Sequence, residues 1–322
     1  MNNTLAAIGE ALIDFIPDRN GCDFNDVTAF SPKVGGAPAN VCAAFSILGG
    51  SSRMLTQLGS DPFGRKIIGE LDRVGVDTSC ISLTDEANTA LAFVSLAQNG
   101  DRTFSFYRKP SADMLYKAES IKETYFDNVF ALHFCSVSIG DFPMKQAHKH
   151  AIELMRERNG IVSFDPNLRF NLWDSRQALY EAVREFIPLS DIVKLSEDEV
   201  GFVTGENSIE KAAQQLFGQG VKLVLYTCGS KGAYAFTKNV KAFSPALKVS
   251  AVDTTGAGDG FTGAFLWSLR KMCSVPDELE KLTENELIES LNFANRFCAL
   301  SVQKKGAIAS YPTLDEMQKI NY

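Results

Sequence analysis

Short apolar runs of β type alternate with stretches whose apolar residues recur every three or four positions, and this alternation organises most of the chain. Runs at 5–8, 129–134, 161–164, 192–195 and 223–226 predict strands, and the amphipathic stretches at 39–48, 63–74, 144–158, 176–186 and 209–217 predict helices. Strands separated by helices pair in parallel and are covered on both faces. The expected fold is therefore three-layer α/β with a mostly parallel sheet. The run at 223–226 is followed by Gly229-Ser230-Lys231-Gly232 and a second run at 233–236, which reads as a hairpin. The last quarter is helical, at 261–269 and 284–302.

Two segments break the alternation, at about 11–33 and 89–110. They are β-rich, as in Ala90-Leu91-Ala92-Phe93-Val94-Ser95-Leu96, and no long helix separates their strands. Two such insertions meeting in space would make a small β-sheet lid on one domain spanning 1–322. Leu91 and Phe93 share one face of their run, and Ala92 and Val94 the other. A small sheet apolar on both faces needs two covers. A ligand supplies one, and a second copy of the chain is expected to supply the other, in a homodimer.

Composition narrows the picture. The chain's 322 residues suit one large domain with a small appendage. No apolar run reaches the roughly 18 residues of a membrane span, and Met1-Asn2-Asn3-Thr4 lacks a basic, signal-like start, so a cytoplasmic protein is expected. A formal charge of −7 argues against a nucleic-acid surface. It does not forbid a nucleotide, because local amides and a magnesium ion can outweigh a global field. The cysteines at 22, 42, 80, 135, 228, 273 and 298 form no C-x-x-C and read as reduced, mostly buried thiols. His148 and His150, two apart on an expected helix, read as solvated surface residues.

The candidate chemistry centres on Asp253-Thr254-Thr255-Gly256-Ala257-Gly258-Asp259, directly before the apolar helical segment at 261–269. A helix starting there aims the N–H groups of Gly256, Ala257 and Gly258 at one point, with the positive end of the dipole behind them. Asp259 at the mouth would repel a phosphate, but it makes sense as the acceptor of a proton from an attacking hydroxyl. A bare Gly-x-Gly-Asp is as easily a capped glycine turn. The flanking threonines and a second, distant glycine motif favour the anion hole. Neither a dinucleotide fingerprint nor a Gly-x4-Gly-Lys-Ser/Thr loop occurs.

Other polar motifs follow strand after strand, where open α/β sheets bind ligands. Asp14 follows the first strand and on its own reads as a solvated loop acid. Gly35-Gly36-Ala37-Pro38-Ala39-Asn40 lets a ligand approach the backbone, and Asn40 offers a donor and an acceptor to a sugar hydroxyl. Asp165-Pro166-Asn167-Leu168-Arg169 presents an amide and a guanidinium, and a structural turn explains it equally well. The acids of Lys194-Leu195-Ser196-Glu197-Asp198-Glu199 suit magnesium held through water, or simply an acidic first helical turn.

With these motifs in place the chain resembles the ribokinase-like, or PfkB, family of carbohydrate kinases over nearly its whole length. Within that family it is most similar to the fructokinases, through Phe106-Tyr107-Arg108-Lys109-Pro110-Ser111-Ala112-Asp113-Met114-Leu115 and the run from Asp165 to Arg169. The resemblance implies an α/β core with a β-sheet lid and transfer of phosphate from ATP to a sugar, most simply D-fructose. Asp259 would be the base, with Gly256, Ala257 and Gly258 as the anion hole. Asp14, Gly35, Gly36, Asn40 and Arg169 would hold the sugar, joined from the lid by Phe104 and Arg108. Lys194, Ser196, Thr227, Gly229, Gly232 and Asn295 would line the nucleotide. Glu199 would serve Mg2+ through water, and a potassium ion would lie by Asp253, Thr255, Gly306 and Ser310. The family's Asn-x-x-Glu motif departs here to Ser196-Glu197-Asp198-Glu199. A kinase of aminoimidazole riboside, ribose or 2-keto-3-deoxygluconate and a catalytically silent sugar- or nucleotide-binding protein are the alternatives. Arg108 and Arg169 keep the sugar acid in play.

Overall fold

The computed structural model describes residues 3–19, 21, 24–96 and 102–319, with no statement on the side chains of 95, 96 and 102–104. Its central sheet uses β1 (Thr4–Ile8), β4 (Ser51–Gly59), β5 (Val76–Asp77), β6 (Ile81–Thr84), β9 (Val129–Cys135), β10 (Ile161–Asp165), β11 (Ile192–Ser196), β12 (Leu223–Thr227), β13 (Ala233–Phe236) and β14 (Lys241–Ser244). The spatial order is β14-β13-β12-β11-β10-β9-β1-β4-β5, with β6 also on β4. Pairing is parallel from β12 to β5, and antiparallel where β13 and β14 add the expected hairpin and one further edge strand. Strand β9 is buried along its whole length, as expected of a parallel strand covered on both faces.

Two apolar layers flank the sheet. One packs α1 (Ala37–Ile47), α2 (Pro62–Arg73), α7 (Ala257–Leu269) and α9 (Glu284–Ser301) around Phe45, Phe130 and Phe265. The other packs α3 (Pro143–Glu157), α4 (Arg176–Phe186), α5 (Val200–Thr204) and α6 (Ile209–Gly218) around Phe134, Phe164 and Phe186. The short helices α8 (Pro276–Leu279) and α10 (Leu314–Gln318) complete the chain. Helix starts follow local chemistry, with Asp61, Ser175 and Thr283 each accepting first-turn N–H groups.

The two misfit segments build a separate sheet from β2 (Leu12–Pro17), β3 (Phe30–Gly35), β7 (Leu91–Leu96) and β8 (Arg102–Tyr107), in the order β3-β2-β7-β8. The register sets Asp14 opposite Lys33 and Ala92, and Ala92 opposite Phe106, so these positions share a face. Phe15 and Phe93 lie on the other face and stack at 4.7 Å.

Two expectations fail. Asp14 is a half-buried strand residue, not a loop acid. His148 is fully buried on the inner face of α3, where Nδ1 donates to Met144 O at 2.8 Å. Burial pushes its pKa down to about 4, which keeps it neutral. His150, only half-buried, stands 3.8 Å from Glu153. The heptad position rather than residue type decided the difference, since His148 follows Met144 by one turn on the apolar stripe. The six described cysteines are free thiols, and Cys22 lies outside the described residues.

Candidate active site

Helix α7 starts at Ala257, four residues earlier than its apolar pattern indicates, because Gly256 caps it in the left-handed region at φ 70°. A Cβ at 256 would meet Ala307 and the Tyr311 hydroxyl, and Tyr311 donates to Gly256 O at 2.8 Å. Only glycine fits both the angle and the space. Ala257 N–H donates back to Thr254 O at 3.2 Å, and the helical ladder begins with Gly260 N–H onto Gly256 O. The first-turn amides ahead of that ladder are those of Gly258 and Asp259. Of the amides expected to converge at residues 256–258, that of Ala257 is engaged within the turn.

Helix α1 brings the second motif. Glycine at 263 lets the two helices cross closely, since a Cβ there would lie 2.7 Å from Ala44 Cβ and 2.8 Å from Val41 O. The crossing sets Asn40 Nδ2 to donate to Asp259 Oδ2 at 2.8 Å. Its other end, Asn40 Oδ1, is buried with no partner among the described residues. An orphaned acceptor beside a carboxylate fits an incoming hydroxyl. Gly35 leaves room for the Asp14 carboxylate, which occupies the place where a Cβ would stand.

Asp259 as a residue is half-buried. Desolvation nevertheless pushes its carboxyl above the usual aspartate range, against the pull of the Asn40 hydrogen bond. Asp165 pushes the same way, while the charges of Lys194 and Arg169 pull down. Nearby, Lys194 Nζ donates to Asp165 Oδ2 at 2.8 Å, in a buried pair. The ammonium lies 3.3 Å from where a Cβ of residue 258 would be. Lys194, expected along the nucleotide, thus lies beside Gly258.

Glu199 is buried, and each oxygen accepts one backbone N–H at 2.8 Å, from Leu168 and from Ser196. This ties the end of β11 to the 165–169 turn without an amide at 196. Arg169 is exposed and donates to Leu168 O at 3.0 Å. Thr227 ends β12, and its carbonyl accepts from Glu197 N. Gly229 and Gly232 have φ 52° and 120° in the turn that follows. Asn295 donates to Ser244 O at 3.0 Å, and a Cβ at 232 would collide with that same carbonyl. Asn295 and Gly232 are therefore neighbours.

Asp253 binds Thr255 N and Oγ1 through one oxygen and Gly306 N through the other, at 2.9, 2.6 and 2.8 Å. It joins the glycine loop to the segment holding Ser310, whose hydroxyl donates to Ala307 O at 2.8 Å. Among the described residues no cluster of three His, Cys, Asp or Glu side chains could hold a metal. The side chain of Phe104 lies outside the described residues, though its position pairs with Val94.

Arg108 is the other residue expected to reach the sugar from the lid. It is buried and donates to Asp113 through Nε and Nη2, to Val137 O at 2.9 Å and to Ser138 Oγ at 3.2 Å. Sequence reasoning gave Asp113 no role and passed over Glu10, whose oxygens accept from Ala37 N at 3.2 Å and Ser138 Oγ at 2.7 Å.

A parallel sheet with a small second sheet, and a glycine-capped helix start carrying a carboxylate paired to a distant amide, define a kinase of small hydroxyl compounds. The sequence profile of the pfkB family carbohydrate kinases matches residues 2–314, and the chain belongs to that family. It is 40% identical to the probable fructokinase-5 of Arabidopsis thaliana over 99% of this chain and 98% of the relative. The fructokinase of Xylella fastidiosa with bound ATP superposes at a TM-score of 0.89, with 31% identity and coverage of 99% and 98% of the two chains. A double mutant of the Vibrio cholerae O395 fructokinase, in fructose, ADP and potassium ion bound form, gives 0.86 at 33% identity, covering 98% and 97%.

Proposed function

We propose that the chain transfers the γ-phosphoryl group of ATP to the 6-hydroxyl of D-fructose. The observation that carries this reading is the Asn40–Asp259 pair, with Asn40 Oδ1 left over to accept from a sugar hydroxyl. The names of the relatives at 40% and 31% identity support fructose as the sugar.

In this reading Asp14, Gly35, Gly36 and Asn40 form the sugar floor, and the sheet of β2, β3, β7 and β8 closes over it as a lid. Asp259 takes the proton as the hydroxyl oxygen forms its bond to the γ-phosphorus and ADP leaves. The first-turn amides of Gly258 and Asp259, with Lys194 nearby, meet the charge that builds on the transferring group. Burial raises the pKa of Asp259, and a carboxylate of raised pKa is a better proton acceptor. Thr227, Gly229, Gly232, Asn295 and Ser196 line the nucleotide channel. Magnesium arriving with ATP would offset the charge of the phosphates. Glu199 keeps lone pairs for a water of that ion. The segments of Asp253, Thr255, Gly306 and Ser310 would hold a potassium ion, which would steady the loop before the anion hole.

The lid's outer face supports a homodimer. Phe93 meets Phe15, Phe30 and Tyr107 at 4.7, 5.4 and 5.3 Å, and Tyr107 is 66% exposed. An aromatic cluster of this size in water favours a cover.

The experiment is a coupled ADP-release assay over fructose, ribose, aminoimidazole riboside and 2-keto-3-deoxygluconate. Fructose is expected to give the highest kcat/KM. A riboside ahead of fructose would replace the substrate, and no ADP release with any sugar would leave a silent binding protein.

A further inference from the structure

The buried network around Arg108 bears on which sugars the site admits. Arg108 directly follows β8, and its side chain is 5% exposed against an Asp113 side chain that is 1% exposed. Two of its nitrogens donate to one Asp113 oxygen, and Ser111 donates to the other. Through Ser138 the network reaches Glu10, and Glu10 in turn holds Ala37 N, next to Gly36 on the sugar floor. Arg108 also lies over the Phe142 ring, 5.6 Å from its centre. Burial pushes the Glu10 carboxyl up, and Arg108 pulls it down.

An arginine this close to a sugar floor would, if unpaired, be a ready carboxylate receptor. Here its fork is already filled by a carboxylate of the same chain. Counting Arg108, Asp113 and Glu10 together, the cluster carries no net positive charge. The other arginine expected at the sugar, Arg169, is exposed and donates to Leu168 O.

We propose that Asp113 is a specificity-determining residue: by neutralising Arg108 under the sugar floor, it tunes the site to uncharged sugars and against sugar acids. The inference rests on the reading that the floor of residues 35–40 holds the sugar. Asp113 acts through Arg108 and is a positioning residue, not a catalytic one. Loss of its charge frees a buried cation whose field draws an anionic sugar.

The test compares D-fructose with 2-keto-D-gluconate, which is fructose with the C1 alcohol oxidised to a carboxylate. Both keep the 6-hydroxyl. For the parent protein kcat/KM is expected to favour fructose by at least about a hundredfold, the preference of a site that leaves a carboxylate unpaired. Asp113→Asn keeps the side chain's shape and is expected to narrow that ratio by on the order of tenfold, the scale of one uncompensated charge nearby. The double variant Arg108→Gln/Asp113→Asn removes both charges and should return the ratio toward the parent's. A merely structural Asp113 would lower both activities together and leave the ratio fixed, and that result overturns the proposal. If Asp113→Asn does not fold, the parent decides: equal kcat/KM for the two sugars overturns the inference. Fructose phosphorylation by the parent checks the underlying reading separately, since its absence removes the kinase assignment rather than the role of Asp113.

Discussion

Asn40 donates from Nδ2 to Asp259 Oδ2 at 2.8 Å, across 219 positions of sequence. The bond joins the starts of two helices that cross where Gly263 has no side chain. It orients the carboxylate and leaves Asn40 Oδ1 buried with no partner among the described residues. It also stabilises the charged form of Asp259 against the desolvation that opposes it.

Asn40→Ala removes a bond that lowers the Asp259 pKa, so the acid limb of the kcat/KM profile should move to higher pH. The sign follows from the base needing to be ionised: with a pKa raised by burial, activity is lost on acidification at a pH above the ordinary aspartate range, and higher still in the variant. KM for the sugar should rise by roughly tenfold, the scale of one lost hydrogen bond. A pH–rate series on both proteins checks this. An acid limb that stays put would separate Asn40 from the titration.

Gly263→Ala tests the helix crossing. Alanine improves helix propensity by about 1 kcal/mol, but the new Cβ would press on Val41 O at 2.8 Å, and backbone cannot give way like a side-chain tip. Overpacking of this kind costs about 1–3 kcal/mol. The collision should win, lowering the urea midpoint and raising KM as Asn40 is displaced. A midpoint above the parent's would mean the crossing relaxes freely.

Asp165→Ala leaves the Lys194 ammonium buried without its partner. Breaking one side of a buried pair costs about 3–5 kcal/mol, and the pair here is 8% and 1% exposed. Asp165→Ala/Lys194→Met should recover part of that loss in the same urea titration. The double variant should remain slow in turnover, because the charge beside Gly258 is gone. Recovery of full activity would remove Lys194 from phosphoryl transfer.

Much of this was legible in sequence because the relevant patterns are local. The strands β9 to β12 were expected to within one residue at each end, and helix α4 at both its bounds, since apolar periodicity and caps such as Ser175 lie within a few residues. Strand β4, which lies beside β1, was not foreseen. Its buried Ser52 and Thr56 break the apolar run, and Ser52 is satisfied by Cys42 O, far outside any local window. The glycine motifs at 35–36 and 256–258 were visible for the same local reason. The partners of Arg108 and Lys194 were not, because a long charged side chain reads as solvent-exposed until the fold brings a carboxylate to it. His148 misled in the same way.

Turnover should be higher in potassium than in sodium buffer, with KM for fructose little changed, because the proposed cation steadies the loop of Asp253 and Thr255 rather than touching sugar. Equal rates in the two salts, with sodium shown not to occupy the site, would contradict this. Light scattering at micromolar concentration should report a dimer that Tyr107→Lys weakens. A monomeric parent would leave the lid's aromatic face without the proposed cover.

The central claim is that Asp259 is the proton acceptor in phosphoryl transfer to a sugar bound beside Asn40. Its most direct test is kcat for Asp259→Asn, measured with calorimetric titration of fructose. Asparagine keeps the bond from Asn40, and removing a carboxyl whose pKa burial has raised relieves a cost present at neutral pH, so the variant should melt no lower than the parent. The account predicts a kcat lower by at least about 10² to 10⁴-fold with fructose affinity largely kept. A variant that folds, binds fructose and turns over at the parent's rate would contradict it.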